Sequence, residues 1–378
     1  MITRTIRRDI TQEKQHNTTI AIWKFLFSLL ILWRHAEVYN PIFANSHFNF
    51  IGGSIAIFFF FIVSGYLMTV KALSMPTDNL GKSTFSYIGK KIIRFLPFII
   101  VAETASIIVY VINGGQLNLP VILNSFFDFT IVPQIFITHQ KFLGIAWYIS
   151  AMLVGMLILY PLIVKYKKNF LYLISPLIAL FAFSFMNKMD GGSYASADVY
   201  YFNFLPKGLI AALGGLSLGS LSYLLASKIQ SINFSRFSKI ALTFIYVFFF
   251  CSIFFLSCDS RSHYFYDSIM VVLLFTGISI AFSNISVTQK LTNNRIVLYL
   301  EKLSLPLYLN QMWVMTIVHS LFPNIDKFYI FIAISTIMTI LISILTIYLT
   351  GFLTKVFQEN KLKKDSFAKL ASIVFKTI

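Results

Sequence analysis

Charge is scarce in this chain of 378 residues: Asp and Glu together number 14, and charged residues of both signs make up 12%. A soluble domain carries roughly a quarter, so there is too little here to cover a water-facing surface. Cysteine is scarcer still, with Cys251 and Cys258 the whole complement. Seven residues apart on a helix, they stand about 10 Å apart along its axis, beyond easy disulfide reach. Neither belongs to a metal-ligand pattern, so they read as packing residues and no metal is expected. No internal repeat is visible, which weakens an inverted-repeat transporter. No stretch has the composition of a long disordered linker.

What fills the chain instead is apolar. Hydrophobic residues reach 57%, Phe alone accounts for 41 positions, and mean hydropathy is +0.76. An integral membrane protein follows. The net charge of +17 would suggest nucleic acid in a soluble chain, but the lysines and arginines sit in short segments between apolar runs. There they act as orientation signals and headgroup contacts, and no nucleic-acid partner is expected.

A helical crossing needs about twenty apolar residues. Such stretches occur at 18–38, 51–71, 92–112, 143–164, 170–187, 206–227, 238–257, 265–284, 303–321 and 328–354. The predicted fold is therefore all-α and polytopic, with about ten transmembrane helices in one membrane-embedded domain over 1–378 and no appended soluble domain. The first span is no cleavable signal, because Lys24, Arg34 and His35 interrupt it. The stretch 117–137 contains Pro120, Asn124, Asp128 and Pro133, which predicts a surface or partly buried helix. With the N-terminus inside, the outer segments hold only Lys141, Lys188, Lys207, Arg261 and Lys327 of the basic residues. Lys24 and Arg34 lie in the first span, and every other basic residue is inner. A wrong count would scramble that alternation, so both termini are expected in the cytoplasm.

Ionisable residues within spans are expensive and mark function. Lys24 and His35 lie eleven helical steps apart, on one face and about 16 Å apart along the axis. A cation low and an imidazole high would suit an anionic donor below and proton chemistry above. The bland alternative is a snorkelling lysine and an interfacial histidine. Glu103 lies deep in the third span, where it could partner His35 or Lys24 or serve as a structural acid. His319, near the outer end of the ninth span, reads as interfacial, and Arg34 as an outer anchor. Lys91 and Arg94 are neighbours on one face at the cytoplasmic mouth of the third span. They could clamp phosphates or simply obey the positive-inside rule.

In order, these pieces resemble acyltransferase family 3, the bacterial membrane O-acyltransferases. Lys24 to His35 matches the family's Arg/Lys-x10-His signature. The run Gly52–Leu67, with Phe60-Phe61-Ile62-Val63-Ser64-Gly65-Tyr66-Leu67, resembles its Phe-Phe-x-x-Ser-Gly second span. Lys91-x-x-Arg94 with Pro97, then Trp147-Tyr148-Ile149-Ser150, then Ser304-Leu305-Pro306-Leu307-Tyr308-Leu309, resemble three further blocks. Departures are Phe58, where many members carry an acid, Gln311, where many carry His, and Ala151-Met152, where a Glu often follows the Trp motif.

The resemblance implies transfer of an acyl group, most often acetyl from cytoplasmic acetyl-CoA, to a sugar hydroxyl of a cell-surface polysaccharide. The setting is the bacterial cytoplasmic membrane, and no cofactor is permanently bound. Lys91 and Arg94 would hold the CoA phosphates and Lys24 would receive the donor. His35 would be general base or transient acyl carrier. Glu103, Ser64, Trp147, Tyr148 and Tyr308 are supporting candidates; for Trp147 and Tyr148 the interfacial aromatic belt is the competing role. The acceptor would be a lipid-linked or surface glycan, with membrane lipids as surroundings. A proton-coupled transporter using His35, Glu103 and Lys24 as a relay, or a polysaccharide polymerase or flippase, are the alternatives.

Overall fold

A computed structural model describes residues 17–39, 50–136, 142–190, 194, 199–258, 263–285, 287–288, 292–323 and 328–374. Lys141, Arg261, Lys290, Lys327, Lys376 and the basic residues of positions 1–16 fall outside that set. So do the side chains of 355–374.

Long apolar runs make helices here because a helix satisfies every backbone group internally, which lipid demands. In chain order they are α1 (Thr18–Ala36), α2 (Ala56–Leu73), α3 (Leu80–Ile112), α4 (Leu119–Thr130), α5 (Trp147–Asn169) and α6 (Ser175–Asp190). Then follow α7 (Lys207–Gln230), α8 (Arg236–Ser257), α9 (His263–Phe282), α10 (Arg295–Leu321) and α11 (Phe328–Val374). A two-residue hairpin, β1 (Tyr200–Tyr201) against β2 (Leu205–Pro206), is the strand structure among the described residues. All of these but α4 and the hairpin stand where spans are expected.

Seven described segments are long and apolar enough to cross a membrane. One of these, Gly144–Asp190, is 47 residues long and is broken at Lys167, whose φ of 40° is non-helical, just before a π-turn at Phe170–Ile174. Two expected spans, 143–164 and 170–187, lie either side of that break. Two other expected spans are not among the seven. Tyr266–Phe282 is apolar but short, and in α10 the stretch after the charged first turns is kept less apolar by Asn310, Gln311 and His319. The helix in 117–137 is the 12-residue α4, short of a crossing, as its prolines and Asp128 suggest.

Three helices overrun their expected bounds. α3 begins at Leu80 rather than near 92, α10 at Arg295 rather than 303, and α11 continues to 374 rather than 354. An apolar window cannot see these turns, because they are polar. At about 1.5 Å per residue, the 33 residues of α3 span about 50 Å, well beyond the ~30 Å hydrocarbon core.

Two pairings set the frame. α2 and α7 approach closely through glycine: a Cβ at Gly219 would lie 2.2 Å from the Ile62 carbonyl oxygen, and one at Gly65 2.2 Å from that of Leu216. Small residues permit such contact where lipid removes the hydrophobic incentive for helices to associate. Thr69 and Ser220 add a 2.7 Å hydroxyl bond across the same seam. α1 is wedged between two apolar clusters. Trp23 and Phe27 pack on Phe250, at 4.7 and 5.7 Å between ring centroids, while Leu29, Leu32 and Ala36 pack on α10 and α11. Contacts of α1 and the turn that follows it with α10 rise together in number (24 with 301, 28 with 304, 39 with 312 and 316), so the two helices run parallel. First and ninth spans must do so if the chain alternates as expected.

Candidate active site

Parallel packing of α1 on α10 lines up the polar residues of both. Low on α1, the Lys24 ammonium meets the Glu301 carboxylate at 2.5 Å. One turn up, the Ser28 hydroxyl donates to the Lys24 carbonyl at 2.9 Å and lies 3.2 Å from that of Ser304. Higher still, the His35 ring stands beside the Gln311 carboxamide. Gln311 is fully buried, yet both of its side-chain polar atoms lack a hydrogen-bond partner, as does Nδ1 of His35. Most buried polar groups in folded proteins are satisfied. Two such groups side by side mark a buried polar site, with an imidazole that can take or return a proton.

Below Lys24, α3 brings two more cations. Lys91 lies within electrostatic reach of both Arg94 and Lys24. Its ammonium sits 5.3 Å from the centroid of Tyr87, and Tyr87 stacks on Tyr160 at 4.3 Å. The Tyr160 hydroxyl is buried without a partner. Arg94 is exposed. Three cations against one carboxylate make a mouth that favours anions.

A wall of aromatic rings borders the upper site. Tyr308 is one turn before Gln311 and donates its hydroxyl to the Ile145 carbonyl. Its ring is 5.8 Å from that of Tyr148, which packs at 4.8 Å on Phe61 and 6.1 Å on Phe60. Ser64 meets the Tyr148 hydroxyl, which also points at Sδ of Met152, 3.6 Å away. Ser64, Tyr148 and Tyr308 thus tie α2, α5 and α10 together. Trp147 is buried, and a Cβ at Gly208 would fall 2.8 Å from its ring. That ring fills the α5–α7 contact.

Glu103 stands apart. It is fully buried, its two oxygens lack a partner, and the charged group it faces is Asp128 of α4. It is not brought to Lys24, whose partner is Glu301, nor to His35, whose neighbours are Arg34 and Gln311. His319 is exposed beside Tyr39, at 5.8 Å, as an interfacial histidine should be. Arg34 is not merely an anchor, since it holds Glu37 at 3.2 Å. The Glu37 carboxylate also accepts from the Phe50 amide. Phe58 is buried against Phe183, at 5.4 Å, in an apolar setting unlike that of an acid. Among the described residues no His/Cys/Asp/Glu group could hold a metal.

Glu301 escaped the sequence reading because it precedes the apolar run of its helix. Its signal was there: few acids occur in this chain, and this one lies close to the Tyr308 motif. Gln311 was visible as a departure from the family pattern but carried no role.

No curated protein and no solved structure matches the chain. A model of the acyltransferase domain does, over residues 19–348, a range that takes in every site residue named above. This many-helix membrane protein belongs to acyltransferase family 3.

Proposed function

We propose that this membrane acyltransferase is an O-acetyltransferase of the bacterial cytoplasmic membrane, with both ends in the cytoplasm. It would carry acetyl from cytoplasmic acetyl-CoA to a sugar hydroxyl of a cell-surface polysaccharide such as O-antigen, capsule or exopolysaccharide. The observation that carries this reading is the unpartnered His35–Gln311 pair standing above three cations on one path. Lys91 and Arg94 hold the CoA phosphates. Lys24 receives the donor as it enters, giving up Glu301 in exchange.

In the transfer the thioester C–S bond breaks and an ester C–O bond forms. The sugar hydroxyl proton passes to His35 and from there to the departing thiolate. In the carrier route, a His35 nitrogen attacks the thioester and the CoA thiolate leaves; the sugar hydroxyl then breaks the acetyl–nitrogen bond, and its proton ends on the freed imidazole or the thiolate. The transporter alternative needed Glu103 in a relay with His35 and Lys24, and Glu103 faces Asp128 instead.

Deleting the gene and recording NMR of the purified surface polysaccharide tests the assignment. Loss of O-acetyl signals is expected; an unchanged spectrum would rule it out. Two variants probe its parts. Lys91→Ala with Arg94→Ala should raise KM for acetyl-CoA by about tenfold or more, since each charged hydrogen bond contributes about 1.5–3 kcal/mol. KM for acetyl-pantetheine, which lacks the nucleotide phosphates, should stay put. Equal effects on both donors would count against phosphate binding. Gln311→Leu should lower kcat about tenfold by removing the carboxamide that faces the imidazole and can bond it once it is charged in the transition state, with KM for acetyl-CoA unchanged and Gln311→Asn recovering part of the loss. A change confined to KM would remove Gln311 from that role.

A further inference from the structure

Away from the His35 path, α6, α7 and α9 enclose a cavity of about 420 Å³, within the ~300–1,000 Å³ range of small-molecule sites. On α6 it follows one face from Pro176 through Leu180 to Asn187, a rise of about 16 Å, roughly one leaflet of a ~30 Å core. Leu180 and Val272 on its flanks are 67% and 60% exposed, so it opens sideways to the bilayer. Leu218 and Phe275 continue the apolar floor.

Polarity is confined largely to one end. There Asn187 is exposed and the Tyr194 hydroxyl lies 2.7 Å from that of Ser268. Among the described residues no charged side chain lines the cavity, though just behind it the Asp267 carboxylate accepts from the Tyr194 amide at 3.3 Å. Of the nearby cations, Lys207 is 2% exposed and held by Asp190 at 3.1 Å, while Lys188 follows Asn187 on α6, exposed but outside the lining. An apolar groove one leaflet long, whose own polar lining is hydroxyl and amide groups, complements a lipid whose head is a neutral sugar.

We propose that this groove binds the hydrocarbon tail of a glycolipid, with its sugar head at Asn187, Tyr194 and Ser268. The head is the acceptor side of the proposed acetyl transfer, and to that extent the inference rests on that reading. The groove and the site wall share α2. Tyr194 packs on Phe58 at 6.2 Å, Phe58 on Phe61 at 6.0 Å, and Phe61 on Tyr148 at 4.8 Å.

The test is photolabelling of the purified full chain in phosphatidylethanolamine–phosphatidylglycerol vesicles. The probe is glucosyl diacylglycerol with a diazirine in one tail; the control is phosphatidylglycerol with the same tail. Label on α6 and α9 peptides is expected from the glycolipid at about fivefold or more over the control, a preference worth about 1 kcal/mol. Ser184→Trp, at an exposed lining position, should remove it. Equal labelling by both lipids overturns the proposal. So does label spread evenly onto the lipid-facing side of α8 around Phe244 and Phe248, or label that survives Ser184→Trp. Binding is read without turnover, so labelling that persists where no acetyl transfer is found counts only against the acetyltransferase. Acetyl transfer without selective labelling counts only against the groove.

Discussion

Replacing His35 by alanine is expected to abolish acyl transfer, with a fall in kcat of at least two to four orders of magnitude, the range a positioned general base supplies. The loss should be chemical rather than structural. The ring is seated at the outer end of α1, in a helix whose packing comes from Trp23, Phe27 and Leu32 lower down. Its Nδ1 makes no hydrogen bond that alanine would break. Membrane insertion and the detergent-solubilised elution profile should therefore match the parent. Rapidly quenching the parent enzyme in denaturant at neutral pH, with labelled acetyl-CoA and no acceptor, separates the two roles left open for the imidazole. Protein-bound label that vanishes in His35→Ala marks a carrier, and its absence in the parent marks a base. A variant retaining more than a tenth of parental kcat would take His35 out of the mechanism.

The second large effect falls on stability. Gly219→Ala places a methyl group 2.2 Å from the Ile62 carbonyl oxygen and 2.6 Å from the Tyr66 amide nitrogen. Both obstacles are backbone, so no rotamer change relieves them and α2 must move away from α7. Overpacking of this kind costs about 1–3 kcal/mol where side chains can adjust, and more is expected where they cannot. The thermal unfolding midpoint in detergent should drop by several degrees, and the yield of monodisperse protein should fall. Gly81→Ala and Gly89→Ala are the controls, because a Cβ at either meets nothing within 4 Å. In α3 each should be neutral or stabilising by up to about 1 kcal/mol. Equal midpoints for Gly219→Ala and these controls would show that the α2–α7 spacing is not fixed by glycine.

The helices were legible because lipid makes a long apolar run nearly synonymous with a helix. Lys24 and His35 could be placed on one face from helical periodicity alone, and α1 carries them so. Their partners could not be found that way. Glu301 and Gln311 lie more than 270 residues further on, and nothing local says which helix of ten will stand beside the first. Glu103 illustrates the converse. Its depth marked it as unusual, but depth does not say which way a side chain faces, and it faces Asp128 of α4. The Ser64-Gly65 pair was seen only as part of a motif. In space the two residues divide the work: Ser64 holds the Tyr148 hydroxyl and Gly65 lets α7 come close.

The hydrogen bonds and ion pair that join α1 to other helices have a consequence in time. Asn17 reaches Ala281, Thr18 reaches Thr292, Lys24 reaches Glu301, Ser28 reaches Ser304 and Trp33 reaches Thr336. At about 5–20 residues per second, the ribosome makes the first of each pair tens of seconds before the second. Throughout that interval Lys24 and His35 face lipid or a holding protein without Glu301 or Gln311, and ionisable groups within a span are costly until they are paired. The first helix made is thus among the last to be completed. A nascent chain stopped before α10 would own the whole Lys24–His35 signature and neither of the groups, Glu301 and Gln311, that face it.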